Sequence, residues 1–373
     1  MSILINRIKG ELADRADQGL LRSLTTSDGL VDFCSNDYLG INRLNFKIPL
    51  KQNHGSNGSR LIAGNNRFTE DFEGYLSQYF GSEDALIFNS GYSANVGFFS
   101  AIAKKGDEIF FDSLIHASVR DGYRLSFAKH IKFAHNNLEE LEAKLSASKS
   151  EVKIIVIESL YSMDGDIAPI EKILTLCAAN GAYLVIDEAH ASGVNSPDGK
   201  GYSYPFRNHP NLIARLITFG KAYGGHGAAF LLSKELKNYL INFSRSLIYS
   251  TASPPSQIEH NWNVLLNETL LEGQRVKLQK VIDRYKETAN QLKINGLLNS
   301  NTQIQGIIVK GNFAVKSLGE HVNKNGMDAR PIVSPTVAVG KERVRICLHS
   351  FNTLNEVDHL LKTIKEWQES NFI

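Results

Sequence analysis

The chain has 373 residues, 42% of them hydrophobic and 21% charged, with a formal net charge of +2. That is the composition of a globular protein long enough for two domains, and its balance gives no field favouring nucleic acid or a membrane surface. Cys34, Cys177 and Cys347 are scattered and in no metal-ligand spacing, which predicts reduced thiols in a cytoplasmic protein and no metal site.

The opening MSILINRIKGELADR has no apolar run of signal-peptide length, and no segment approaches the ~20 apolar residues of a membrane helix. The first forty-odd residues read as a helix and then an extended segment, LVDFCSNDYLG. GSNGSRLIAGNN is rich in Gly, Ser and Asn and reads as loop. In RFTEDFEGYLSQYFG, Phe68, Phe72, Tyr75, Leu76, Tyr79 and Phe80 recur at helical spacing, and Gly81 offers a stop.

DALIFN, DEIFFD, KIIVIES, AYLVIDEAH and RLITFGK are short apolar runs rich in β-branched residues, with helical segments such as IEKILTLCAANG between some of them. That alternation predicts an α/β fold with a mostly parallel sheet covered on both faces. GAAFLLS follows RLITFGK too closely for a helical crossover and is expected to be antiparallel. A long helix is expected from about 255 to 290. Beyond it TQIQGIIVKG, FAVKSLGEHVNKNG, ERVRICL and TLNEVDHLLKTIKEW suggest a smaller α+β domain, and Thr353 with Glu356 forms a capping box. The expected division is an N-terminal segment 1–45, a large domain 46–255 and a C-terminal domain 256–373.

Ligands bind at the carboxyl ends of parallel strands. Glu158 and Ser162, Asp187 and His190, Thr218 and Lys221, and the helix start Ser90-Gly91-Tyr92 all fall there. Each has an ordinary use alone: Asp187 as a helix cap, His190 as a core histidine, Thr218 as a strand residue, Lys221 as a turn residue. Their coincidence points to pyridoxal phosphate. That cofactor takes a lysine amine for its aldehyde and a carboxylate for its ring nitrogen, and its phosphate seeks amides at a helix N-terminus.

The blocks CSNDYLG, GSNGSRLIAGNN, SGYSANVG, SMDGDIAP, IDEAHASG, TFGKAYG, IYSTASPP and RVRI occur in order over nearly the whole chain. In this the sequence resembles the α-oxoamine synthases, fold-type I pyridoxal phosphate enzymes that join an amino acid to an acyl thioester with loss of carbon dioxide. The resemblance implies a mostly parallel seven-stranded sheet and a homodimer with shared active sites. Its nearest branch condenses L-alanine with a pimeloyl thioester in biotin synthesis, the acyl group riding on coenzyme A or an acyl carrier protein. Another member of the family, using glycine or serine, and an aminotransferase remain as alternatives.

The resemblance also implies roles. Lys221 would bond to the cofactor and move the α-proton. Asp187 would pair with the ring nitrogen, His190 with the ring hydroxyl, and His116 would stack on the ring. Ser90, Gly91 and Tyr92 would lie near the phosphate, Ser162 and Thr218 would complete the polar ring, and Thr251 would reach the partner subunit's phosphate. Arg345 would hold the amino acid's carboxylate, Asn36 would touch substrate, and Arg22 would face the acyl chain's far carboxylate. Asn352 and Ala338 stand where the family often has histidine and proline, which bears on the substrate pocket and not on the cofactor core.

Overall fold

The computed structural model describes residues 2–44, 51–196 and 198–371. The described chain forms two compact units. One gathers Met1–Ser35, Met163–Gly165 and Lys277–Ile373, and the other Asn36–Ser162 and Asp166–Val276. The expected boundary after residue 45 lies outside the described residues. The later division falls inside a long helix at Val276/Lys277, not at 255/256, and the N-terminal segment groups with the C-terminal unit.

In the smaller unit, α1 (Ile3–Asp17) precedes the two-residue strand β1 (Val31–Asp32). The larger unit then runs α2 (Arg67–Phe80), β2 (Asp84–Phe88), α3 (Gly91–Ile102), β3 (Glu108–Asp112), α4 (Ala117–Arg124), β4 (Lys129–Phe133), α5 (Leu138–Ala147) and β5 (Lys153–Glu158). It continues with α6 (Ile170–Asn180), β6 (Ala182–Asp187), β7 (Leu212–Thr218), β8 (Ala228–Leu232), α7 (Lys234–Phe243), α8 (Arg245–Ile248) and α9 (Pro255–Leu266). These strands form one seven-stranded sheet in the order β2-β8-β7-β6-β5-β3-β4. Only β8 runs antiparallel to its neighbours, as its short connection requires.

The central strands are buried on both faces. Ile154 and Val156 of β5 pack with Phe98, Phe99 and Val119 of α3 and α4, while Ile155 and Ile157 pack with Leu141, Ile173 and Leu174 of α5 and α6. Alternate side chains thus enter opposite cores, which explains the unbroken apolar run. Strand β4, KHIKF, is the exception. It is an edge strand with mostly exposed side chains, so it lacks the apolar signature of its neighbours.

The long helical stretch is two helices. Asn267 interrupts it between α9 and α10 (Glu268–Gln291), where its side chain accepts the Leu270 N–H at 3.3 Å. That satisfies an amide the new helix start would otherwise leave open. The smaller unit adds β9 (Ile304–Ile308), α11 (Asn312–Lys324), β10 (Met327–Asp328), β11 (Arg330–Ile332), β12 (Arg343–Cys347) and α12 (Leu354–Ser370). Its antiparallel sheet has the order β11-β12-β9, and β1 pairs with β10 in parallel. Thr353 and Glu356 form the expected capping box at α12.

Candidate active site

The carboxyl ends of β5, β6 and β7 deliver Glu158, Asp187 and Thr218. Glu158 and Asp187 are register partners on adjacent parallel strands, so their side chains leave the sheet side by side. Both line one cavity with Ser90, Gly91, Tyr92, His116, His190, Thr218 and Lys221. The topology thereby collects residues scattered from Ser90 to Lys221 without any local sequence signal joining them.

Asp187 is buried and held on both oxygens. Oδ1 accepts the Ala189 N–H at 2.9 Å, and Oδ2 accepts from Asn95 Nδ2 at 2.9 Å. Asn95, buried in α3, also donates to Ser118 Oγ at 3.0 Å. The two bonds fix the orientation of this carboxylate in the cavity. Glu158 is the counterpart: Oε2 accepts the Ser162 N–H at 3.2 Å, while Oε1 is buried without a hydrogen-bond partner. Burial, reinforced by the Asp187 charge and opposed by Lys221, pushes the Glu158 carboxyl up to about 8. At neutral pH this acid keeps its proton.

His116 occupies the N-cap of α4, where Nδ1 accepts the Ser118 N–H at 3.2 Å. Burial lowers its pKa, with Lys221 and Arg120 acting in the same direction against Asp187, so the ring is neutral and flat-faced at physiological pH. His190 is oriented from behind: Tyr38, fully buried, brings its hydroxyl to 2.7 Å from His190 Nδ1 and donates to Asn36 Oδ1 at 3.0 Å. Asn36 therefore reaches the cavity wall through Tyr38.

Ser90 caps the twelve-residue α3 through a reciprocal box with Ser93. Gly91 follows because a Cβ there would lie 2.8 Å from the Thr218 methyl. Thr218 Oγ1 donates to the Ala189 carbonyl at 3.3 Å. Tyr92 is half exposed, and its hydroxyl binds Asp121. The glycines after Lys221 have a use the sequence does not reveal. A Cβ at Gly225 would lie 2.0 Å from Asn261 Oδ1, and one at Gly224, where φ is +59°, 2.8 Å from Ile41 Cβ. They let the turn pack against neighbouring elements, whereas Gly220 alone stands beside open space, its nearest contact 3.7 Å away.

Other expected site residues lie outside this cavity. The Ser162 N–H donates to Oε2 of Glu158, which lines it. Thr251 lines a separate, narrow cavity with Arg60, Phe88 and Ser253, and its carbonyl accepts from Asn89 Nδ2 at 2.6 Å. Arg22 lines a cavity of the smaller unit with Arg15 and Lys316. Arg345 is a buried residue of β12, in register with Arg330 and Gly306. Sequence reasoning missed Asn95, Ser118, Tyr38 and His226; the signal for Asn95 was a lone amide in the apolar helix GYSANVGFFSAI.

Pyridoxal phosphate fits the cavity's donor set: a lysine amine, a fixed carboxylate, a neutral imidazole, and a serine–glycine helix start opposite a threonine. No helix among the described residues is long and apolar enough to cross a membrane, and no metal-holding group of His, Cys, Asp and Glu occurs among them.

The family model for aminotransferase class I and II matches residues 28–364. The 8-amino-7-oxononanoate synthase of Emericella nidulans is 37% identical over 98% of this chain and 96% of its own. That of Herminiimonas arsenicoxydans is 35% identical over 96% of this chain and 98% of its own. Among solved structures, the 8-amino-7-oxononanoate synthase of Francisella tularensis superposes with a TM-score of 0.79 at 28% identity, covering 93% of this chain and all of that one. A serine palmitoyltransferase of S. paucimobilis, solved with a pyridoxal phosphate–myriocin adduct, gives 0.88 at 21% identity over the full length of both chains.

Proposed function

This chain belongs to the aminotransferase class I and II family, beside its 8-amino-7-oxononanoate synthases, and we propose that it condenses L-alanine with a pimeloyl thioester. The products are 8-amino-7-oxononanoate, carbon dioxide and a free thiol, in biotin biosynthesis. One observation carries the reading: Asp187, fixed by Asn95 and the Ala189 N–H, shares a cavity with Lys221, His116 and His190.

Pyridoxal phosphate, when bound, supplies an electron-poor ring that withdraws charge from the carbon beside the amino nitrogen. The chain's own residues do the rest. Lys221 anchors the cofactor aldehyde; its amine, once released, takes the α-proton of alanine and later returns one. Asp187 holds a proton on the ring nitrogen. His116 would stack on the ring, and His190, steadied by Tyr38, would bond the ring hydroxyl, with Ser162 and Thr218 completing the polar ring. Ser90, Gly91 and Tyr92 would lie near the phosphate. A bond forms between the α-carbon and the acyl carbonyl carbon, the carbon–sulfur bond breaks, and the thiol leaves. Carbon dioxide then departs from the alanine carboxyl.

The same reading gives Arg345 the amino acid's carboxylate, Asn36 a substrate contact and Arg22 the far carboxylate of the acyl chain. It makes the enzyme a cytoplasmic homodimer in which Thr251 completes the partner's phosphate site; its position outside the Lys221 cavity supports that. The acyl group is carried by coenzyme A or an acyl carrier protein.

The test is thiol release from pimeloyl-CoA by purified, cofactor-loaded protein given alanine, glycine or serine separately. Release with alanine alone is expected. Release with glycine or serine instead would move the amino acid within the family. Cofactor converted to its amine form by alanine with no thiol released would favour an aminotransferase.

A further inference from the structure

The second acid of SMDGDIAP, Asp166, takes no part in the cavity. It belongs to a separate cluster at the same sheet edge, built around His135, two residues beyond the end of β4. His135 Nδ1 lies 2.9 Å from Asp112 Oδ1, and Nε2 lies 2.7 Å from Asp166 Oδ2. With both nitrogens facing carboxylates, both carry protons, and the ring is an imidazolium shared by two anions. Asn136 closes the cluster: its N–H donates to Asp112 Oδ2 at 2.9 Å and its Nδ2 to Asp166 Oδ2 at 3.0 Å. The Tyr161 ring stands edge-on to the imidazole, centroids 4.4 Å apart.

Each of the two acids sits in a turn that borders the cavity. Asp112, fully buried at the end of β3, accepts the Leu114 N–H on Oδ1 at 2.8 Å, and Ile115 N–H bonds the Asp112 carbonyl at 3.0 Å. That turn ends at His116. The Asp166 carbonyl accepts the Tyr161 N–H at 3.0 Å, and Leu160 and Ile167 form an isolated bridge. This second turn carries Ser162, whose N–H holds Glu158. The two turns leave different strands and are joined through one side chain.

We propose that His135 is a positioning residue of the active site: by gripping Asp112 and Asp166 together it sets the turns that hold His116 over the cofactor and Ser162 beside Glu158. The proposal rests on the cavity being a pyridoxal phosphate site, and its readouts do not need turnover.

The full-length holoenzyme and its His135→Phe and Asp166→Asn variants should be compared by visible circular dichroism of the bound cofactor, by cofactor dissociation on dilution, and by kcat and KM for alanine. With His116 loosened, His135→Phe is expected to weaken the dichroic band and speed dissociation, and to lower kcat about tenfold, since small misplacements of positioned groups cost this much or more. KM should change less than kcat. Asp166→Asn keeps the side-chain size and the Asp112–His135 pair, so it tests the same linkage should His135→Phe fail to fold, with the same direction and a smaller change. Wild-type dichroism, dissociation and kcat in a folded variant, with only the melting temperature lowered, would overturn the proposal. A wild-type chain showing no visible band with pyridoxal phosphate would instead sink the reading of the cavity itself.

Discussion

Two groups of carboxylates, three of the four buried, stand at the same edge of the seven-stranded sheet and handle their charge in opposite ways. Glu158 and Asp187 emerge side by side in the cavity that Lys221 also lines, and one Glu158 oxygen has no hydrogen-bond partner. Burial first, and the Asp187 charge second, push the Glu158 carboxyl up to about 8. Asp112 and Asp166 have His135 between them. Burial pulls that imidazole down, but the hydrogen bonds and charges of both acids outweigh it and push it up to about 10. The residue types are nearly the same. The difference is the balance of causes: His135, hydrogen-bonded to both acids, is held as a fixed structural charge, whereas at Glu158 burial and the Asp187 charge outweigh Lys221 and the acid keeps its proton.

The comparison breaks most severely at Lys221, the one amine in the cavity. Lys221→Ala is expected to lower thiol release by about a thousandfold or more, because covalent anchor and proton carrier are lost together. Near-normal turnover in that variant would sink the mechanism. Asp187→Asn comes next, at about a hundredfold in kcat, a typical scale for one preorganised electrostatic group. The amide cannot match both donors, Asn95 Nδ2 and the Ala189 N–H, and it removes the charge that helps keep Glu158 protonated. The alkaline limb of the pH–rate profile should therefore shift as well, and an unchanged limb would show that Asp187 does not govern Glu158.

Much of this was legible in the sequence, for identifiable reasons. The central strands are buried on both faces and so read as unbroken apolar runs, and the close spacing of β7 and β8 fixed their antiparallel sense. Strand β4 was not legible because an edge strand with exposed Lys129, His130 and Lys132 carries no such signal. The break at Asn267 was hidden because helical periodicity continues across it while one side chain caps the new start. Lys221, Asp187 and Thr218 were readable as strand-end residues. Asn95 and Tyr38 were not, since each acts on its partner from far away along the chain, 92 residues for Asn95 to Asp187 and 152 for Tyr38 to His190. The His135 cluster was hidden for the same reason: its pairs span 23 and 31 positions, and only the sheet order brings β3, β4 and the turn after β5 together.

The smallest effect on turnover is expected for Glu158→Gln, which replaces a protonated acid by its neutral isostere, and its value is in stability against pH. Glu158 titrates near 4.5 when unfolded and near 8 when folded. Between those values the native state binds more protons, so the wild type loses stability as pH rises through that window. Glu158→Gln lacks this loss, and its melting temperature should gain on wild type from pH 4.5 to 8 and then run parallel. His135, faced by Asp112, Asp166, Asn136 and the Tyr161 ring, goes from 6.5 unfolded to about 10 folded. Its stabilisation is complete below 6.5 and is lost as pH climbs towards 10, so the advantage of wild type over His135→Phe should shrink across that higher window. Melting curves of the two variants over pH 4.5 to 10 thus separate the clusters by where each difference changes. If both differences changed in one common window, the two groups of carboxylates would titrate as a single coupled system, and the contrast between a clamped charge and a protonated acid would fail.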